Sequence, residues 1–373
     1  MKICIVQGPF FPIPPIKGGA VEKVWHNLAK EFTNRGHKVT HISRKYVGLP
    51  HEESIGGLRN LRISGFDQPS SIGGMKLYDL IYSLRVFPRI PQSDIIVTNT
   101  FWLPMLLSGT KKGKVYVHVQ RFPRNQMILY KSAARIQTVS KIIHREILRQ
   151  TPSVRNIVGP VIHNPLPAVF NPLEKIDYPR EKGSILYVGR IHPEKGLDLF
   201  LDSFISMKKK FPNNLQLTIV GPYQFDSGGG GETYLNILKD KTRHFKREIH
   251  WQGAIFDDHS LRELYAKSEF FVYPSIADKG EAMPLAPLEA MSVGCIPILS
   301  DLECFNEYIE ENINGLVFKS KPQPRQNIDY LLEQIVNGTL NLSKLSKKAQ
   351  KKAEQFSLSR IADQYINDFK SLI

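Results

Sequence analysis

SILYVGRIHPEKGLDLFLDSF, Ser184 to Phe204, is the stretch on which the fold reading turns. A short apolar run rich in branched side chains ends at Gly189, and a helix is expected to open near Gly196, so the segment reads as strand, turn and helix. Between them stand Arg190 and Lys195, two cations beside a helix end that already carries positive partial charge. Solvated surface charge is the plain reading of such a pair; a bound anion is the reading that removes the conflict.

The same alternation continues on both sides. Toward the C-terminus, LQLTIVG, EIHWQG, EFFVYPS and CIPILS read as further strands separated by helical patterns. Toward the N-terminus, Lys2 to Val6 reads as a strand, and Val21, Val24, Trp25, Leu28, Ala29 and Phe32 follow helical spacing until Gly36 ends the pattern. KVTHIS, DIIVTN, KVYVHV and RIQTVS complete the first series. Strands alternating with helices predict parallel sheets, and 373 residues are too many for one core. The expected fold is α/β, with two Rossmann-like doubly wound parallel-sheet domains facing a central cleft. The boundary is expected in the Pro-rich stretch Asn164 to Lys182, giving domains 1–166 and 167–356, with a closing helix over 357–373 that can pack on either lobe. Gly228 to Gly231 reads as a flexible loop and Lys319 to Arg325 as a linker.

Charge is divided unequally. Residues 1–180 hold 26 Lys/Arg against 10 Asp/Glu, whereas residues 181–373 hold 24 against 25, so the formal +15 of the chain belongs to its first half. The cations are interspersed through apolar periodic segments, which describes a folded basic domain rather than a tail. No basic stripe interleaved with aromatics marks a nucleic-acid interface, and no nucleic-acid partner is expected. Cys4, Cys295 and Cys304 contain no C-x-x-C pair, which argues against a zinc site and suits a reducing compartment. ICIV is too short for a signal sequence, and no segment is long and apolar enough to span a bilayer.

Ligands of open α/β sheets bind beyond the carboxyl ends of the strands, so the strand-to-helix junctions carry the candidate sites. In QGPFFPIPPIKGGAVEKVW, Gly18 and Gly19 enter a helix, where free amides attract anions. Neither G-x-G-x-x-G nor G-x-x-x-x-G-K-[ST] is present there, which weakens a dinucleotide dehydrogenase and excludes an ordinary P-loop. A third junction, PSIADKGEAMPLAPLEAMSVGCIPILSD, spaces Glu281 and Glu289 eight residues apart, the second inside an apolar helix expected from about Leu285. A carboxylate suits a vicinal diol because it offers several acceptor sites; a dipole-favoured helix-start Glu is the alternative.

Together these junctions resemble the metal-independent, retaining glycosyltransferases with two Rossmann lobes, the GT-B group 1 transferases of family 4 type. The resemblance runs through GGAVEKVWHNLAKEFTNRGHKVT, YVGRIHPEKGLDLFLDSF, TIVGP, ELYAKSEFFVYPS, the E-x7-E block, NGLVF and FSLSRIADQYINDF. The PPIKGGAVEKVW and EAMPLAPLEAM stretches are most similar to bacterial lipopolysaccharide-core and O-antigen sugar transferases. The resemblance implies that Arg190 and Lys195 bind the donor diphosphate, that Glu289 holds the ribose, and that Glu281 holds the transferred sugar. It further implies that Met283, Pro284 and Leu285 line the donor site, that Gly18 and Gly19 form a loop over the phosphates, and that His118, or Gln120 two residues on, lies beside the donor sugar. The family usually has Phe-Gly where Met283-Pro284 stands, so one main-chain donor to the sugar is absent. Asn164-Pro165 likewise replaces the frequent Asn-Gly.

The activity implied is transfer of a hexosyl or N-acetylhexosaminyl group from a nucleotide-diphosphate sugar, UDP-linked by expectation, to a lipid-linked or cell-envelope glycan, with no cofactor and no metal. A soluble-acceptor transferase and a sugar-nucleotide 2-epimerase are the alternatives. The basic first half suggests a peripheral protein at the cytoplasmic face of an anionic membrane. KLYDLIYSLRVFPR at 76–89 offers Leu77, Leu80, Ile81, Leu84 and Phe87 with Lys76, Arg85 and Arg89 as an interfacial helix, and Lys131, Arg135, Lys141, Arg145 and Arg149 form a second basic face.

Overall fold

The computed structural model describes residues 1–69, 71–173, 179–212, 215–277 and 279–373. The chain divides into two units, Met1–Pro167 with Leu358–Ile373, and Ala168–Ser357. Residues 174–178, inside the Pro-rich stretch expected to hold the boundary, lie outside the described residues, as does Asp278 of the third junction.

The first unit contains β1 (Lys2–Val6), α1 (Ala20–Asn34), β2 (Lys38–Arg44), β3 (Glu52–Ile55), β4 (Leu58–Ile63), α2 (Ile72–Val86), β5 (Ile95–Thr98), α3 (Leu103–Leu106), β6 (Lys114–Val119), β7 (Arg135–Thr138), α4 (Lys141–Gln150) and β8 (Val158–Val161). Its eight strands run in the order β3-β4-β2-β1-β5-β6-β7-β8. All pairings are parallel except β3 with β4. That hairpin was absent from the sequence reading. It turns through Gly56-Gly57, both at positive φ, a two-residue hairpin signal that the alternating pattern of longer strands overshadows.

The second unit contains β9 (Glu181–Val188), α5 (Leu197–Lys210), β10 (Gln216–Val220), α6 (Gly231–Thr242), β11 (Ile249–Gly253), α7 (Asp258–Lys267), β12 (Ser268–Tyr273), α8 (Leu285–Ser292), β13 (Ile296–Ser300), β14 (Leu316–Phe318), α9 (Pro324–Val336) and α10 (Leu342–Ala353). Its sheet is wholly parallel, in the order β11-β10-β9-β12-β13-β14. Phe200, Leu201 and Phe204 of α5 pack with Ile185, Tyr187, Leu217 and Ile219 of the sheet in one apolar core. β9 and β12 are adjacent although far apart in sequence, so the residues after both strands meet at one carboxyl edge.

The closing helix α11 (Leu358–Lys370) belongs to the first unit. Its Tyr365 hydroxyl donates to Gln137 Oε1 at 3.0 Å, Asp368 accepts from Tyr116 at 2.7 Å, and Phe369 packs edge-on to Phe32.

Three sequence expectations need correction. The Gly228–Gly231 segment is not a loose loop: the amides of Gly229, Gly230 and Gly231 each donate to a carbonyl, of Gln224, Ile191 and Tyr223 respectively, at 2.8 Å. The supposed linker at Lys319 to Arg325 is shorter than expected, because Pro324 already opens α9, a position that suits a residue without an amide hydrogen. The second basic face is not a single face. Arg135 lies on β7 and pairs with Asp368 at 2.9 Å, and Arg149 pairs with Glu146 at 2.7 Å.

The helix at 72–86 buries Asp79, Tyr82, Ser83 and Val86, not its leucines. Asp79 accepts the amides of Phe101 and Trp102 at 3.1 and 3.0 Å, which fixes that face inward and leaves Leu77 and Leu84 each 54% exposed. No helix among the described residues is long and apolar enough to cross a membrane.

Candidate active site

The carboxyl edge of the second sheet gathers residues from three junctions. β9 ends at Val188, and the chain turns through Gly189 and Arg190 into a short helical turn, Pro193–Lys195, before α5. Gly196 joins the two with φ 64, and a Cβ there would overlap the carbonyl of Pro274, so the turn after β9 lies directly against the strand end of β12. The amide of Ile276 donates to the Glu194 carbonyl at 3.0 Å and locks the same contact.

This packing brings Arg190, Lys195 and Glu281 into one network. The Arg190 guanidinium donates to Glu194 at 2.7 Å and to the carbonyl of Gly228. Lys195, its side chain only 5% exposed, forms an ion pair with Glu281 and lies 5.4 Å from the centre of the Tyr273 ring. Glu281 Oε1 also accepts from the hydroxyls of Tyr273 at 3.1 Å and Ser275 at 2.8 Å, whereas Oε2 has no hydrogen-bond partner among the described residues. Burial, together with the adjacent Glu281 charge, holds the Tyr273 hydroxyl well above the usual tyrosine range, so it remains a donor.

The conflict seen in the sequence between two cations and a helix end is therefore met within the protein by Glu194 and Glu281. Both cations are paired before any ligand arrives. Arg190 is 38% exposed and Lys195 nearly enclosed, so the two are not equivalent clamps. Glu194, Tyr273 and Ser275 escaped the sequence reading. Glu194 stands four residues from Arg190 in the quoted motif, a spacing that could have found it; Tyr273 ends, and Ser275 follows, a strand whose neighbour is set only by the sheet order.

Glu289 sits on α8, buried, with Oε2 accepting from the Tyr265 hydroxyl at 3.3 Å. Pro284 is the residue before α8, with buried Met283 and Leu285 flanking it and no side chain capping the helix. The first amides of α8, at Leu285 and Ala286, have no intrahelical acceptor, a geometry that favours an anion.

In the first unit, Gly18 and Gly19 both take positive φ, 76 and 98, and lead into α1. His118 is the buried penultimate residue of β6. Its Nδ1 accepts from the Trp25 indole at 3.0 Å, its Nε2 has no partner, and burial pushes its pKa down to about 3. An indole donates only, so neutral His118 carries its proton on Nε2. Gln120, the alternative to His118, donates instead to Asn164 at 2.9 Å.

Residues 173–356 match the model of the glycosyl transferases group 1 family. This chain is a glycosyltransferase, and its second half carries the group 1 domain. Spore coat protein SA of Bacillus subtilis is 22% identical over 99% of both chains. The lipopolysaccharide 1,2-N-acetylglucosaminetransferase of Salmonella typhimurium is 25% identical over 84% of both. The crystal structure of Anabaena HepE in complex with UDP covers 100% of both chains at 17% identity, with a TM-score of 0.73, and shares the fold. The glycosyltransferase thus has two parallel-sheet α/β units of the GT-B class and uses a nucleotide sugar.

Proposed function

We propose that this glycosyltransferase moves a hexosyl or N-acetylhexosaminyl group from a UDP-sugar to a lipid-linked or cell-envelope glycan, with retention and without a divalent cation. The observation that carries the reading is the paired set Arg190–Glu194 and Lys195–Glu281 at the carboxyl edge of β9 and β12. A diphosphate can displace Glu194 from the half-exposed guanidinium and gain a bidentate partner. Lys195 and the amides of Leu285 and Ala286 supply further positive potential, and Oε2 of Glu281 is available to a hydroxyl of the transferred sugar. Glu289 on this reading holds the ribose by giving up its bond to Tyr265, with Met283, Pro284 and Leu285 beside it. Gly18, Gly19 and His118 serve the same reaction from the first unit.

In the reaction the bond between the anomeric carbon and the diphosphate oxygen breaks, the acceptor oxygen bonds on the same face, and its proton passes to the departing phosphate oxygen. The protein's contribution is to stabilise the charge that grows on that oxygen. The Anabaena HepE complex with UDP and the Salmonella lipopolysaccharide 1,2-N-acetylglucosaminetransferase support a UDP-sugar and an envelope glycan as substrates. The exposed Leu77 and Leu84, flanked by Lys76, Arg85 and Arg89 in a basic unit, support attachment to an anionic membrane from its cytoplasmic side.

A thermal-shift panel of UDP-, GDP-, ADP- and dTDP-sugars tests the donor: a UDP-sugar should raise Tm most, and equal shifts for all bases, or none, overturn the assignment. Flotation should recover the protein with anionic liposomes and not with neutral ones. Equal flotation with both favours a soluble acceptor instead.

A further inference from the structure

The buried face of α1 contains one residue that does not belong to an apolar stripe. Glu22 takes a place beside Val24, Trp25, Leu28, Ala29 and Phe32, and is 7% exposed. Its carboxyl folds back on its own main-chain amide and makes no ion pair and no bond to another residue among the described residues. Burial raises its pKa to about 7, with Arg121 opposing that only through space. A buried carboxyl without an ion-pair partner is costly anywhere. Here it stands in a unit holding 26 Lys/Arg against 10 Asp/Glu, where a cationic partner would have been the simple remedy.

Two neighbours make the arrangement specific. A Cβ at Gly19 would collide with Glu22 Oε2, so the positive-φ glycine leaves the space that the carboxyl occupies. One helical turn beyond, Trp25 donates to His118 Nδ1 and leaves the buried Nε2–H without an acceptor. The amino end of α1 and the carboxyl end of β6 thus present a carboxyl with spare acceptor capacity and a ring N–H without an acceptor among the described residues, the complement of a polyol. A capping role, in which the third residue of a helix bonds back toward its start, explains a Glu at this position but not its burial, and a Gln would serve equally.

We propose that Glu22 is a substrate-contacting residue of the first unit, accepting a hydrogen bond from a hydroxyl of the acceptor sugar. This rests on the glycosyltransferase reading above. The donor's negative charge finds its partners in the second unit, whereas a carboxylate without a cation suits a neutral hydroxyl.

The test compares wild type with Glu22→Gln, a change that keeps size and capping ability. Transfer from UDP-glucose or UDP-N-acetylglucosamine to p-nitrophenyl glycosides, and to water as the minimal acceptor, is read as UDP release. Donor affinity comes from calorimetry and stability from Tm. Expected are a tenfold or greater loss of UDP release with the glycoside acceptors, release with water alone within twofold, donor Kd within twofold, and a Tm at pH 8 no lower than wild type. Wild-type release should fall as pH drops through about 7, and that limb should be missing in Glu22→Gln. Glycoside-dependent release within twofold of wild type with the same pH profile overturns the proposal, as does an equal loss with water or a loss confined to donor affinity. Wild type that binds no nucleotide sugar overturns the underlying reading instead.

Discussion

The two units share an architecture and treat charge in opposite ways. At the carboxyl edge of the second sheet every ionic group of the network already has a partner: Arg190 with Glu194, Lys195 with Glu281. In the first unit, which holds the whole positive excess, Glu22 has no ion-pair partner and His118 Nε2 no hydrogen-bond partner among the described residues. Net charge therefore does not locate the ionic chemistry. A ligand anion is best met by cations that are held in place and can exchange one carboxylate for another, since placed groups need little rearrangement as charge develops. A diffuse field attracts an anionic surface without positioning anything.

Substitutions in each unit can break or sharpen this contrast. The largest effect is expected for Lys195→Ala, which strands Glu281 in a buried site. Removing one member of such a pair typically costs about 3–5 kcal/mol, to be read from denaturant unfolding. Little change in midpoint would mean that the pair is not the anchor of this edge. Arg190→Ala should leave stability nearly intact because the guanidinium is partly exposed, yet reduce turnover by about 10² or more, the effect of losing a donor worth about 2.7–4 kcal/mol to developing charge. Near-normal UDP release in that variant would remove Arg190 from the site. In the first unit, Tyr116→Phe deletes the hydrogen bond to Asp368 that docks α11. A bond to a charged group contributes about 1.5–3 kcal/mol, and the loss should appear in the unfolding free energy. The smallest change is Trp25→Phe, which retains an aromatic ring and removes the donor to His118; about 1 kcal/mol should be lost. ¹⁵N shifts of the imidazole should also depart from the pure Nε2–H tautomer. An unchanged tautomer would show that burial alone, not the indole, sets the state of His118.

Parts of the active site were legible in the sequence because they are local. Arg190 and Lys195 declare themselves by their clash with a helix start, and the apolar spacing of Val24, Trp25, Leu28 and Phe32 predicts the buried face of α1. Glu22 was passed over for the same reason: a helical acid in the first turn reads as ordinary capping until its burial is known. Leu77 and Leu84 show the converse, since their spacing marks an amphipathic helix while Asp79, two residues from Leu77, decides which face turns inward by bonding to residues 101 and 102.

By itself, the sequence determined the alternation of strands and helices, the division of charge and the local motifs, all of which depend on spacing of a few residues along the chain. Only the tertiary structure decided what each charged group faces. That Glu281 receives Lys195, that Tyr273 and Ser275 share its oxygen, that α11 closes on the first unit and that Glu22 is left without an ion-pair partner among the described residues follow from strand order and helix packing, which bring together residues far apart in sequence. A charge acts over a few ångströms, and its neighbours at that range are set by the fold rather than by the order of the chain.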